Sequence, residues 1–145
     1  MIELRPANER DLGWIESLER ECFSLPWTRE QLEHQINGRG KLLLVACCGG
    51  EPAGYMGLDF VLDEGYVTNV CTAPAFRRRG VASALIDGVA ARGREQGLSF
   101  ITLEARVSNA AARSLYAGKG FVEAGIRPGY YERPKEDAVI MTLYL

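Results

Sequence analysis

The sequence predicts one α/β domain spanning residues 1–145: a central mixed sheet of about seven strands flanked by about four helices. Three observations carry that expectation. Apolar residues switch between a spacing of two and a spacing of three to four, giving the order β-α-α-β-β-β-α-β-α-β-β. Helices follow the fourth and fifth strands, so part of the sheet can be parallel, while turn signals elsewhere read as hairpins. No repeat, low-complexity segment or linker divides the 145 residues, a length that suits one domain with a real core.

The elements follow in chain order. Ile2 to Arg5 reads as a short strand, and Pro6-Ala-Asn8 leads into a helix over roughly 9–22, where Leu12, Ile15, Leu18 and Cys22 recur at helical spacing. Ser24-Leu-Pro-Trp27 breaks it. Thr28 followed by Gln31 forms a capping-box pattern for a short second helix, and Asn37-Gly38 closes that helix. Lys41 to Cys48 is a near-continuous apolar run and therefore a buried strand; Gly49-Gly50 turns it back into a strand over 53–62. Asp63-Glu-Gly65 turns again into a strand over 66–72. A helix follows Gly80 and ends at Gly97. Leu98 to Ala105 is the next strand, and Ser108-Asn109 caps a helix over about 110–118. Phe121 to Ile126 reads as a strand, 127–136 as a polar loop, and 137–145 as a final alternating strand.

Composition narrows the function classes. A net charge of −2 speaks against general nucleic-acid binding, which makes Arg77-Arg-Arg79 a local feature. The start Met-Ile-Glu-Leu-Arg-Pro does not read as a signal peptide, and no apolar run is long enough for a membrane helix, so a cytoplasmic protein is expected. Cys22, Cys47, Cys48 and Cys71 have no zinc-site spacing and are expected to be buried free thiols. His34 is the one histidine and belongs on a surface helix, which leaves no support for a histidine metal site.

The stretch Arg77 to Ser83, Arg-Arg-Arg-Gly-Val-Ala-Ser, joins a strand and a turn to a helix start. The first N–H groups of a helix have no intrahelical partner, and the helix dipole favours an anion there. Gly80 has no Cβ to hold a ligand away. The stretch therefore reads either as a phosphate cradle or as a solvated basic turn. It has neither the Gly-Lys-Ser/Thr of a triphosphate loop nor three dinucleotide-loop glycines, which leaves a diphosphate of another cofactor open.

Two further residues could carry chemistry. Glu104 ends an apolar strand; partial desolvation would make it a proton acceptor near neutral pH, and the alternative is a sheet-end glutamate paired with Arg106 or Arg113. Tyr116 lies on the next helix, either as a proton donor or packed under the sheet with its hydroxyl at the rim.

Taken in order, strand–Arg77-Arg-Arg-Gly-Val-Ala82–helix, Leu103-Glu-Ala-Arg106, Ser108-Asn-Ala-Ala-Ala112, Leu115-Tyr116 and Lys119-Gly-Phe121 resemble the GCN5-related N-acetyltransferase (GNAT) superfamily. Phe23-Ser-Leu-Pro-Trp27, Val61-Leu-Asp-Glu64, Tyr130-Tyr131 and Glu136-Asp-Ala-Val-Ile-Met141 extend the resemblance along nearly the whole chain, toward the ribosomal-protein-alanine N-acetyltransferases. The resemblance implies a mostly antiparallel sheet and acetyl-CoA as co-substrate. It also implies that Val70, Cys71 and Thr72 meet the pantetheine arm. Main-chain N–H groups of Arg78, Arg79, Gly80, Val81, Ala82 and Ser83 would hold the diphosphate, and Asn109 would hydrogen-bond the pantetheine. Glu104 would be the general base and Tyr116 the general acid. The implied acceptor is a protein N-terminus, that of a ribosomal protein, with no nucleic acid or membrane as partner. Ala82 replaces a commoner glycine, and Pro128-Gly129 stands where the subfamily has a bulkier polar pair. The competing expectations are an acetyltransferase for lysine or small amines, and an acyl-CoA-binding module without turnover.

Overall fold

The structure is a computed structural model and describes residues 1–145. The period-two stretches form seven strands: β1 (Ile2–Pro6), β2 (Lys41–Cys48), β3 (Glu51–Val61), β4 (Glu64–Thr72), β5 (Phe100–Arg106), β6 (Val122–Glu132) and β7 (Lys135–Tyr144). The helical stretches form α1 (Leu12–Cys22), α2 (Arg29–Asn37), α3 (Val81–Glu95) and α4 (Ala110–Gly118). Single 3-10 turns precede α1 and follow β4. Thr28 and Gln31 make the reciprocal capping box at α2 that the sequence predicts.

One sheet runs β1-β2-β3-β4-β5-β7-β6. Every neighbouring pair is antiparallel except β4 and β5, the parallel pair joined through α3. On one face, Leu85, Ile86 and Val89 of α3 and Tyr116 of α4 pack with Leu44, Ile101, Leu103 and Met141. On the other face, Ile15 and Leu18 of α1 and Leu32 of α2 cover Leu43, Val45 and Tyr55. Each fully buried side chain of this kind contributes about 1.5–3 kcal/mol, so the sheet is clamped from both sides.

Two expectations are corrected. Residues 127–136 are not a loop. β6 continues through Tyr130-Tyr131 to Glu132 and turns tightly into β7. Groups distant in sequence impose this on turn-like residues: the Arg106 guanidinium donates to the carbonyls of Pro134 (2.8 Å) and Arg133 (3.3 Å) and stacks on Tyr131 at 4.3 Å. The Asp137 carboxylate accepts the Gly129 N–H at 2.7 Å. The cysteines are free as expected, but only Cys71 is buried; Cys22, Cys47 and Cys48 are half-buried.

Candidate active site

β4 and β5 pair only at their beginnings, from Glu64↔Phe100 to Tyr66↔Thr102. Beyond that point the strands part, although β4 continues to Thr72 and β5 to Arg106. Val70, Cys71 and Thr72 stay paired to β3 on their other edge. Their β5-facing edge therefore presents unpaired main-chain groups to a wedge-shaped cleft, the place for an extended chain that hydrogen-bonds like a strand.

The cleft leads to the turn before α3. Arg78 and Gly80 both have left-handed backbone, at φ 64° and 81°. Among the main-chain hydrogen bonds outside the regular elements, none is donated by a residue from Arg78 to Ser83. Gly80 is the N-cap and supplies no side chain, so the first-turn N–H groups of Val81, Ala82 and Ser83 are open as well. A Cβ built on Gly80 would meet nothing within 4 Å, so its surroundings are open, and the constraint there is the positive φ itself. A row of free N–H groups at the start of a fifteen-residue helix fits a diphosphate. The side chains of Arg77, Arg78 and Arg79 are exposed, and Arg79 lies over the Phe76 ring at 5.3 Å.

Glu104 sits where β5 has left β4. Alternation along β5 puts Ile101, Leu103 and Ala105 into the core and Glu104 on the opposite face with Thr102 and Arg106. Its side chain keeps 21% of its exposure and meets the Arg127 guanidinium at 3.3 Å. The pairing with Arg106 or Arg113 weighed from the sequence is not made. Arg106 pairs with Glu136, and Arg113 with Glu123. The hairpin tyrosines close this face. Burial first, then Tyr130 and Glu104 nearby, push the Tyr131 hydroxyl up to about 12, while burial and the Glu104 charge push Tyr130 up.

Tyr116 lies on the other face of β5. It is 6% exposed, within the core beneath β5, and its ring packs at 5.6 Å against Phe121. Its hydroxyl makes no protein hydrogen bond, yet no fully buried side-chain oxygen lacks a partner, so the oxygen touches the surface. Burial pushes its pKa up to about 12. Glu104 and Tyr116 thus lie on opposite faces of β5, and no hydrogen bond links them. Asn109 caps α4: its Oδ1 accepts the Ala112 N–H at 3.1 Å, which leaves the amide nitrogen to donate elsewhere.

The sequence reading passed over a polar cluster beside the cleft. β4 bulges at Thr68-Asn69, two residues opposite Gly57 alone. A Cβ at Gly57 would lie 2.3 Å from Thr68 Oγ1 and 2.4 Å from Asn69 Oδ1, so any larger residue would displace these two side chains. Asn69 donates to the carboxylate of Glu19, which also accepts the Tyr55 hydroxyl and the Trp27 main-chain N–H. A signal was present. Glu19 follows Ile15 by four and Leu12 by seven, a glutamate on the apolar stripe of α1. Ser24 of the α1–α2 connection donates to the Arg133 carbonyl at 2.7 Å and so joins that connection to the β6–β7 turn.

The profile of the Acetyltransferase (GNAT) family matches residues 14–121, most of the chain. The chain belongs to this family. It is an acetyltransferase, with acetyl-CoA as co-substrate. Among curated proteins, the [ribosomal protein bS18]-alanine N-acetyltransferase of Escherichia coli is 33% identical over 135 residues, 92% of this chain and 90% of that one. The protein of the same name from Salmonella typhimurium is 34% identical over 144 residues, 98% of this chain and 95% of that one. Among solved structures, the Escherichia coli ribosomal-protein-S18-alanine N-acetyltransferase superposes with a TM-score of 0.90 at 31% identity, covering 99% of this chain and 94% of that one. No helix of this GNAT protein is long and apolar enough to cross a membrane.

Proposed function

We propose that this protein transfers acetyl from acetyl-CoA to the N-terminal α-amine of a protein, and that the acceptor is a ribosomal protein beginning with alanine. The observation that carries the substrate is the likeness, over nine-tenths or more of both chains, to enzymes named for acting on the alanine of ribosomal protein bS18. The two competing expectations have less support. Retention of both Glu104 and Tyr116 supports turnover over a mere binding module. The relatives named above are covered over nine-tenths or more of their length and are named for an alanine, not for a lysine or a small amine.

Acetyl-CoA, when bound, supplies an activated acetyl thioester. Main-chain N–H groups from Arg78 to Ser83 hold its diphosphate, and the free edge of Val70, Cys71 and Thr72, with the Asn109 amide, holds the pantetheine arm. Glu104 takes a proton from the incoming amine, directly or through water. The Val70 N–H faces the carbonyl oxygen as negative charge develops there. Tyr116 donates toward the departing sulfur. With its pKa near 12, the hydroxyl stays protonated throughout the physiological range. Complete transfer to a thiolate of pKa about 8.5 would run uphill, so the tyrosine acts as charge builds on sulfur.

The amine chemistry is consistent with an N-terminus. An α-amine of pKa about 8 is roughly one-tenth neutral at pH 7, whereas a lysine of pKa about 10.4 is neutral in well under one-thousandth of molecules. One glutamate therefore has far less to do for an α-amine. N-terminal proteomics of cells with and without the active protein tests the proposal. The expected outcome is loss of acetylation at alanine-starting ribosomal N-termini. An unchanged N-terminal profile, or changes confined to lysines, would refute it.

A further inference from the structure

We propose that Glu19 is a positioning residue for acyl transfer: its buried carboxylate ties the acceptor-side loop at Trp27 to the β4 bulge at Asn69, and so sets the distance between the two reactants. This rests on the acetyltransferase reading above, and in particular on the role given to the Val70 N–H.

Glu19 is 1% exposed. The arginines near α1, Arg20 and Arg29, pair with its neighbour Glu16 and not with it. Three donors replace a cation. Oε1 accepts the Trp27 N–H at 2.8 Å, and Oε2 accepts Asn69 Nδ2 at 3.2 Å together with the Tyr55 hydroxyl. A buried carboxylate left without donors is strongly unfavourable, so these three groups are drawn to one point.

The three come from different parts of the site. Trp27 ends the connection between α1 and α2, directly before the Thr28 cap. Tyr55 pairs with Cys71 across β3 and β4, on the strand proposed to carry the pantetheine. Asn69 is the second residue of the bulge, so its side chain fixes how the chain enters Val70. The bulge holds its shape through the Gly57 gap and the 2.9 Å bond from Thr68 Oγ1 to Asn69 Oδ1. One carboxylate thus sets the height of the acceptor wall and the orientation of the Val70 peptide together. A displacement of about 1 Å between reacting groups costs on the order of a hundredfold in rate. An interaction that registers both walls therefore affects turnover more than cofactor affinity.

The test is a donor–acceptor swap. In Glu19→Gln, one acceptor oxygen becomes an NH2 group that faces the Asn69 amide. In Asn69→Asp, two carboxylates face each other. The double variant restores a donor opposite an acceptor at the same total charge. Each variant is assayed for kcat and KM with an alanine-starting peptide, for acetyl-CoA Kd, for thermal unfolding, and for the backbone amide chemical shifts of Trp27 and Val70. Each single variant is expected to lose kcat by about 10–100-fold, with acetyl-CoA Kd within about threefold of the parent. The double variant should return to within about threefold of the parent kcat.

The backbone amide chemical shifts of Trp27 and Val70 should move together in Glu19→Gln and return in the double variant. Parental kcat per folded molecule in Glu19→Gln, or a double variant no better than the singles, would overturn the proposal. A lowered unfolding temperature alone would mean an ordinary structural role and would also overturn it. Should Glu19→Gln fail to fold, Asn69→Ala carries the test, and parental kcat there refutes the proposal. If the parent protein acetylates no N-terminal amine, the substrate reading fails, while a Val70 amide shift that stays at its parental value when that of Trp27 moves would refute the positioning role separately.

Discussion

The two walls of the cleft are made of different material. On the side proposed for the cofactor, one continuous stretch from Val70 to Ser83 offers main-chain groups: a free strand edge, two left-handed residues and the open start of α3. On the acceptor side, the wall is assembled from side chains far apart in sequence: Glu19 with Asn69, Ser24 with Arg133, Glu104 with Arg127, and Arg106 over Tyr131. A diphosphate and a pantetheine arm are the same in every reaction of the family, so backbone geometry suffices to hold them. An acceptor differs between enzymes, and side chains can change without disturbing the frame.

The difference has measurable consequences. The largest belongs to the groups proposed to act on protons. Glu104→Gln and Tyr116→Phe should each lower kcat by about a hundredfold or more, with acetyl-CoA affinity nearly unchanged; stopped-time assays beside calorimetric titration separate the two quantities. A large loss of cofactor affinity in either variant would break the division of labour. With its pKa near 12, Tyr116 should also cause no fall in rate below about pH 11.

Next is the backbone on the cofactor side. Gly80→Val forces a β-branched residue to φ 81° at the start of α3. Roughly 1–3 kcal/mol of strain should weaken acetyl-CoA binding by about 10- to 100-fold, as read by titration. The variant should leave the acceptor KM alone.

The third effect concerns the footing of α1. Burial opposes ionisation of Asp11, but hydrogen bonds from the Arg5 guanidinium, the Asn8 N–H and Trp14 outweigh it and hold the carboxyl at about 2. The folded pKa lies below the unfolded value, so the stabilisation is present above about pH 4 and is lost as the pH falls toward 2. Asp11→Asn should remove about 2 kcal/mol at pH 7 and flatten the acid limb of a pH series of urea unfolding curves. The smallest effect is at the arginines. Arg79→Ala, with its exposed side chain, should weaken acetyl-CoA binding by only a fewfold, well short of Gly80→Val. The opposite order would move the grip from main chain to side chains.

The same contrast governs what could be read from the sequence. The strand–turn–helix geometry around Gly80 was legible because its determinants are local: a strand, Gly80 and a helix start lie within a dozen residues. The Thr28–Gln31 box and the parallel β4–β5 pair were legible for the same reason. The β6–β7 hairpin read as a loop because Pro128, Gly129 and Pro134 carry turn signals, and the groups that override them, Arg106 and Asp137, act across space. The partner of Glu104 was misjudged for a similar reason. Arg106 and Arg113 are near it in sequence, but the strand order carries Arg127 to it through β7. Glu19 left a trace in the periodicity of α1, whereas its three donors come from three elements that only the fold brings together.

The central claim, that this GNAT protein acts on an N-terminal α-amine, has a direct test. Purified protein is given acetyl-CoA and an equimolar pair of peptides. One starts with a free alanine; the other has a blocked N-terminus and an internal lysine. Tandem mass spectrometry then locates the acetyl group. The account predicts acetyl on the alanine α-amine and none on the lysine. Acetyl on the lysine peptide, or on neither peptide, would contradict it.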